Sequence, residues 1–78
     1  MKKGEQYFIV TFPTTTSAIQ MERLCKERHI PGRLIPVLRS IKASCGMCWA
    51  APLAAQETIE ALLIAEKMQI DGLYVKEL

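Results

Sequence analysis

The sequence has no asparagine, one aspartate (Asp71), one histidine (His29) and one tryptophan (Trp49). With so few of these residues, a hydrolytic triad or a catalytic carboxylate pair is hard to assemble. Neither G-x-x-x-x-G-K-[ST] nor G-x-G-x-x-G occurs, which excludes nucleotide binding by those routes. The uncharged stretch Ala43 to Gln56 is broken by Gly46 and Pro52 and is too short to span a bilayer as a helix. No basic segment leads into an apolar run with a cleavage site, so the expected setting is cytoplasmic, with no membrane partner. Three cysteines, an odd count in that compartment, point to thiols rather than a disulfide framework.

What is present is the balance of one small globular domain, spanning 1–78 with an ordered core of about 6–77. A chain of 78 residues buries only about 60–65% of its unfolded surface, which leaves no room for an elaborate enzyme cleft. The net charge of +2 hides an asymmetry. Residues 1–45 hold eight Lys/Arg against three Glu, and residues 46–78 hold two Lys against five Asp/Glu. The basic part ends at Cys45.

Tyr7 to Phe12 is a β-branched and aromatic run stopped by Pro13, the pattern of a buried strand. Thr14-Thr15-Thr16-Ser17 supplies N-caps, and Ala18, Met21, Leu24, Cys25 and Arg28 recur at helical spacing, predicting a helix over about 15–29. His29 would cap it as a cationic imidazole. Arg33 to Val37 reads as a short strand, placed at an edge by its flanking prolines. A polar, basic connection from Arg39 to Ser44 leads into Cys45-Gly46, and Met47 to Ala51 is a third strand. An amphipathic helix over about 54–68 and a strand at Leu73-Tyr74-Val75 complete the chain. The order βαββαβ predicts an α+β, ferredoxin-like sandwich, a four-stranded antiparallel sheet with both helices on one face. Its other face would be bare and apolar, an invitation to a dimer or a ligand.

Cys45 has the most suggestive chemical setting. Arg33, Arg39 and Lys42 precede it, and cations near a thiol favour the nucleophilic thiolate. Gly46 beside it lets another backbone approach. Equally, Cys45 is an ordinary small residue in a turn with solvated cations around it. Cys45 and Cys48 form C-x-x-C, but the motif runs into a strand and so lacks the helix N-terminus that activates thioredoxin-like thiols. A dithiol switch or a soft-metal half-site stays open beside a simply buried Cys48. A complete zinc site is not expected, because it wants four ligands. Cys25 reads as core filler on the first helix. The threonine cluster at that helix start is a cap or an anion cradle. Trp49 is the lone aromatic of the third strand, and no RNA-recognition signature is present, so no nucleic-acid partner is expected.

Phe12-Pro13-Thr14, Glu22, Ile30-Pro31, Arg33-Leu34-Ile35-Pro36, Arg39, Ser44-Cys45-Gly46 and the late Gly72-Leu73-Tyr74 together resemble a family of small bacterial proteins described as selenium/sulfur carrier-like. The resemblance runs from about Tyr7 to Tyr74. It implies a ferredoxin-like fold and one functional cysteine, which maps to Cys45, with Arg39 and Ser44 as motif neighbours. It also implies a part in handling sulfur or selenium. The sequence departs from the pattern at Cys48 and Trp49, where small or aliphatic residues are usual. Pro52-Leu53-Ala54-Ala55 also lacks an acidic helix cap.

The expectation is a carrier rather than a stand-alone enzyme, holding a persulfide or selenosulfide on Cys45 for transfer between donor and acceptor proteins. Arg39, Lys42 and Arg33 would stabilise the anion, Ser44 would donate a hydrogen bond, Gly46 would keep the approach open, and Cys48 would be the resolving thiol. No cofactor and no metal are implied. The alternatives are a small-molecule-binding regulatory module that dimerises through its sheet, and a Cys45/Cys48 dithiol or soft-metal site.

Overall fold

The computed structural model describes residues 5–38, 41 and 46–77. Strand β1 (Gln6–Thr11) leads into helix α1 (Thr15–Glu27), and β2 (Arg33–Pro36) and β3 (Met47–Pro52) follow. A single 3₁₀ turn, Leu53–Ala55, opens helix α2 (Gln56–Ala65), and β4 (Gly72–Glu77) closes the order. The strands form one four-stranded sheet in the order β2-β3-β1-β4, every neighbouring pair antiparallel. This is the ferredoxin-like arrangement expected from the pattern. β2 lies at an edge, where Pro36, lacking an N–H, interrupts no central ladder.

The register sorts each strand onto two faces. Phe8 and Val10 of β1 stand beside Ala51 and Trp49 of β3. They pack with Ala18, Met21, Leu24 and Cys25 of α1 and Ile59, Leu62 and Leu63 of α2 in one core. Both helices therefore cover the same face.

The opposite face is not bare, which corrects the sequence expectation. Tyr7, Ile9, Cys48 and Ala50 are buried there under Ile41, with Ile35, Val37, Leu38 and Tyr74 packed around them. Val37, Leu38 and Ile41, from the connection between β2 and β3, thus lie over the sheet. Its apolar residues follow neither a two-residue nor a helical period, so among arginines and lysines they read as a polar loop. With cover on both sides β1 is buried from Tyr7 to Thr11, as its continuous apolar sequence requires.

Thr14 caps α1 through Oγ1, which accepts from the Ser17 N–H at 3.2 Å. The helix stops at Glu27, two residues short of the expected end. His29 has φ 55°, Ile30 N–H donates to Cys25 O at 2.9 Å, and His29 N–H donates to Lys26 O at 3.4 Å. That is a Schellman termination, in which Ile30 and Cys25 also join the same apolar core. His29 therefore caps through its backbone conformation rather than its imidazole. α2 ends the same way, short of the expected Met68. Lys67 has φ 50°, and Met68 and Lys67 N–H groups donate to Leu63 O and Ile64 O at 3.0 and 3.2 Å. No side chain caps its start, in keeping with the missing acidic cap. Arg28 and Glu66, the cap residues of the two helices, form an ion pair at 2.5 Å. Half exposed, it adds little to stability.

Both terminations place a side chain in the left-handed region that glycine occupies without strain. His29→Gly and Lys67→Gly are each expected to stabilise the fold by about 0.5–1 kcal/mol. Thermal unfolding followed by circular dichroism should show a rise of a few degrees, and a fall in either variant contradicts the assignment.

Candidate functional site

The β2–β3 connection is gripped where it enters and leaves the sheet. Pro36 pairs with Met47, and the next step of the ladder is Val37 N–H donating to Gly46 O at 3.1 Å. Inside the connection Ile41 N–H donates to Leu38 O at 3.0 Å, a turn that sets the Ile41 side chain down on the sheet. Gly46 is exposed, and a Cβ built on it would meet nothing within 4 Å. Among the described residues none makes the close approach that a glycine would permit there. Cys45, Arg39, Lys42 and Ser44 lie outside the described residues.

The other two thiols have clear surroundings. Cys48 is fully buried on the face that Ile41 covers, in a row with Ile35 of β2 and Thr11 of β1. Its Sγ–H points to Pro36 O at 4.0 Å. Met47 and Trp49 face the other way, as strand alternation predicts. Cys25 is fully buried among the helices. It and Cys48 are thus on opposite sides of the sheet and cannot pair.

Burial pushes the Cys25 thiol up to about 11, from 9.0. Between those values the folded state keeps a proton that the unfolded chain releases. Stability therefore falls as pH rises from about 9 to about 11, by about 2–3 kcal/mol in all. Urea unfolding at about pH 8 and about pH 11 should show this loss in the native chain and a smaller one in Cys25→Ala. Equal losses in the two would contradict the cause given.

Arg33 stands at the far end of β2 from the connection, opposite Ala50 rather than Met47. Three residues of strand, about 10 Å, separate it from Pro36. There it lines a shallow groove of about 420 Å³ with Glu5, Tyr7, Pro31, Gly32, Ala50 and Pro52. Beside this groove lies a feature that sequence reasoning missed. Gly32 has φ +138°, and a Cβ on it would fall 2.6 Å from the Trp49 indole nitrogen. That nitrogen is buried without a hydrogen-bond partner. Pro31-Gly32 signalled only a helix stop, since nothing local announces which side chain will lie against a glycine.

The geometry is that of a small sandwich with two thiols sunk in its layers and a clamped connection bearing the third. Residues 7–75 match the family described as "Putative Se/S carrier protein-like". The chain belongs to that family. The match spans all four strands and both helices, from Tyr7 in β1 to Val75 in β4. Neither the search of curated proteins nor that of solved structures returned a match. Among the described residues no helix is long and apolar enough to cross a membrane.

Proposed function

We propose that the chain carries sulfur or selenium between proteins on Cys45. The observation that carries this reading is the burial of Cys25 and Cys48, each 0% exposed, in a chain of the selenium/sulfur carrier-like family. The third thiol, Cys45, is the sequence neighbour of the exposed Gly46. In the transfer, the Cys45 thiolate attacks the terminal sulfur of a persulfide on a donor protein. The new S–S bond forms as the donor's S–S bond breaks, and the donor leaves as a thiolate. Selenium transfers in the same way as a selenosulfide. Arg39 and Lys42 stabilise the anionic product, and Ser44 donates to it. Delivery to an acceptor thiol is the reverse exchange. A chain this short presents a loaded atom to a partner more readily than it encloses a substrate.

The test is anaerobic incubation with a low-molecular-weight polysulfide followed by intact mass. The native chain, Cys25→Ala and Cys48→Ala should each gain one sulfur, and Cys45→Ser should not. Gly46→Ala separates function from folding, because its Cβ enters open space. It should melt like the native chain, so any lost transfer to an acceptor reflects the approach at Cys45. Loading of Cys45→Ser to the native level would rule the reading out.

The groove lined by Arg33, Glu5 and Tyr7 favours a second reading, a small-molecule-binding module. That reading requires a ligand-induced rise in melting temperature that survives Cys45→Ser.

A further inference from the structure

The two edges of the sheet are not alike. β2 is four residues long, preceded by Pro31 and ended by Pro36, so it offers little to a further strand. β4 is six residues long with no proline, pairs with β1 along its inner side, and carries no described strand on its outer side. Leu73 and Val75 point to the helix side of the sheet yet remain 41% and 44% exposed, outside the core that the helices build. An unblunted edge with a half-exposed apolar pair is a template for another strand.

We propose that this edge pairs antiparallel with the β4 edge of a second copy, in a register centred on Tyr74. The choice of a second copy rests on self-complementarity. With Tyr74 opposite the partner's Tyr74, Leu73 falls opposite the partner's Val75, and Val75 opposite the partner's Leu73. Both apolar pairs lie on the helix side, extending the two cores toward each other. On the other face Gly72 falls opposite the partner's Lys76. The Tyr74 ring lies over Gly72, since a Cβ there would be 3.0 Å from its Cε1 and Oη. The partner's Lys76 is therefore brought beside the Tyr74 ring, twice across the two-fold axis. Sliding the register by two residues sets Leu73 against Glu77, or Val75 against Asp71. A shift of one residue sets Leu73 against Lys76 in one direction, and Val75 against Gly72 in the other. Among shifts of up to two residues, the register centred on Tyr74 is the one that sets both Leu73 and Val75 against apolar partners; centring on Val75 also brings Tyr74 opposite the partner's Lys76 but leaves Leu73 against Glu77.

The pairing also leaves the two described ends of the β2–β3 connection, Val37 and Gly46, away from the joint. β2 and β4 are separated by three strand spacings, about 14 Å, so Val37 and Gly46 of each copy sit on the side of the sheet away from the joint. The proposal does not rest on chalcogen chemistry, and its readout is mass alone.

Sedimentation equilibrium of the reduced full chain, over a wide concentration range, should show a mass rising from one chain to two. Leu73→Lys and Val75→Lys should each weaken the dimer by about tenfold or more, by placing a charge in each apolar pair. Ile64→Lys, at an exposed position on α2, should leave it unchanged. Should the lysine variants fold poorly, Leu73→Thr and Val75→Thr keep strand propensity and weaken the dimer in the same direction. In a Cys45→Ser background, Tyr74→Cys should form an intermolecular disulfide under mild oxidation, and Val75→Cys should not. A chain that stays monomeric throughout, a dimer indifferent to substitution at both Leu73 and Val75, or cross-linking through Val75→Cys in preference to Tyr74→Cys overturns the proposal.

Discussion

Gly32→Ala is expected to remove most of the stability of the fold. The added methyl group would lie 2.6 and 2.7 Å from Nε1 and Cε2 of Trp49 and 2.8 Å from Ala50 O. Neither neighbour can yield easily. Ala50 is held in the middle of β3, paired with Arg33 on one side and Ile9 on the other. Trp49 is 2% exposed, packed between the sheet and the helices. Overpacking of this kind costs about 1–3 kcal/mol. The φ of +138° adds backbone strain of about 1–3 kcal/mol for any residue with a side chain. A single core of this size supplies only about 3–5 kcal/mol beyond what unfolding recovers, so the two costs together leave little. The melting temperature should drop by about 15–30 °C, at about 4–8 °C per kcal/mol for a domain of this length. Gly46→Ala is the matched control and should melt with the native chain. A Gly32→Ala melt within about 5 °C of native would show that the indole moves aside and that the contact does not constrain the fold.

Gly32 also marks the boundary between what the sequence discloses and what it withholds. The order of elements was legible because each has a local cause: the apolar run ended by Pro13, the threonine cap, the prolines around β2, and the apolar repeat in α2. The burial of Cys25 was legible too. Cys25 follows from helical spacing, and a simply buried Cys48 was one of the readings that its place in β3 left open. Two kinds of feature were hidden. One is a helix end made by a residue other than glycine, as at His29 and Lys67, where a sequence pattern runs on past the backbone turn. The other is contact between segments distant in the chain, as at Gly32 against Trp49 and Ile41 on the open face. A lone isoleucine among basic and small residues carries no period, and its burial depends on the sheet it meets.

Ile41→Ala is the second substitution expected to have a large effect, and its effect should be local. Ile41 is 5% exposed and lies on Tyr7, Ile9, Cys48 and Ala50. Truncating a buried isoleucine to alanine costs about 2–4 kcal/mol. Here the loss falls on the cover that Ile41 gives the open face, because Phe8, Val10, Trp49 and both helices hold the other core without Ile41. Each 1.4 kcal/mol lost from closure raises the open fraction tenfold. Cys48, buried beneath the connection, should then alkylate at least about tenfold faster than in the native chain. Cys25, on the other side of the sheet, should keep its native rate. Equal acceleration at both thiols would mean global unfolding and would contradict a separate closure. The same variant tests the role of Cys48 in carriage. For Cys48 to resolve a persulfide on Cys45, its thiolate must attack the Cys45 sulfur and release hydrosulfide as a Cys45–Cys48 disulfide forms. In the closed state Cys48 is fully buried with its Sγ–H directed at Pro36 O. Attack by Cys48 is therefore expected to need removal of the cover that Ile41 gives it, and Ile41→Ala should shorten the lifetime of the loaded chain and yield that disulfide. If the loaded lifetime is unchanged while Cys48 alkylation accelerates, Cys48 serves the packing of the open face, and Cys45 carries its sulfur or selenium alone.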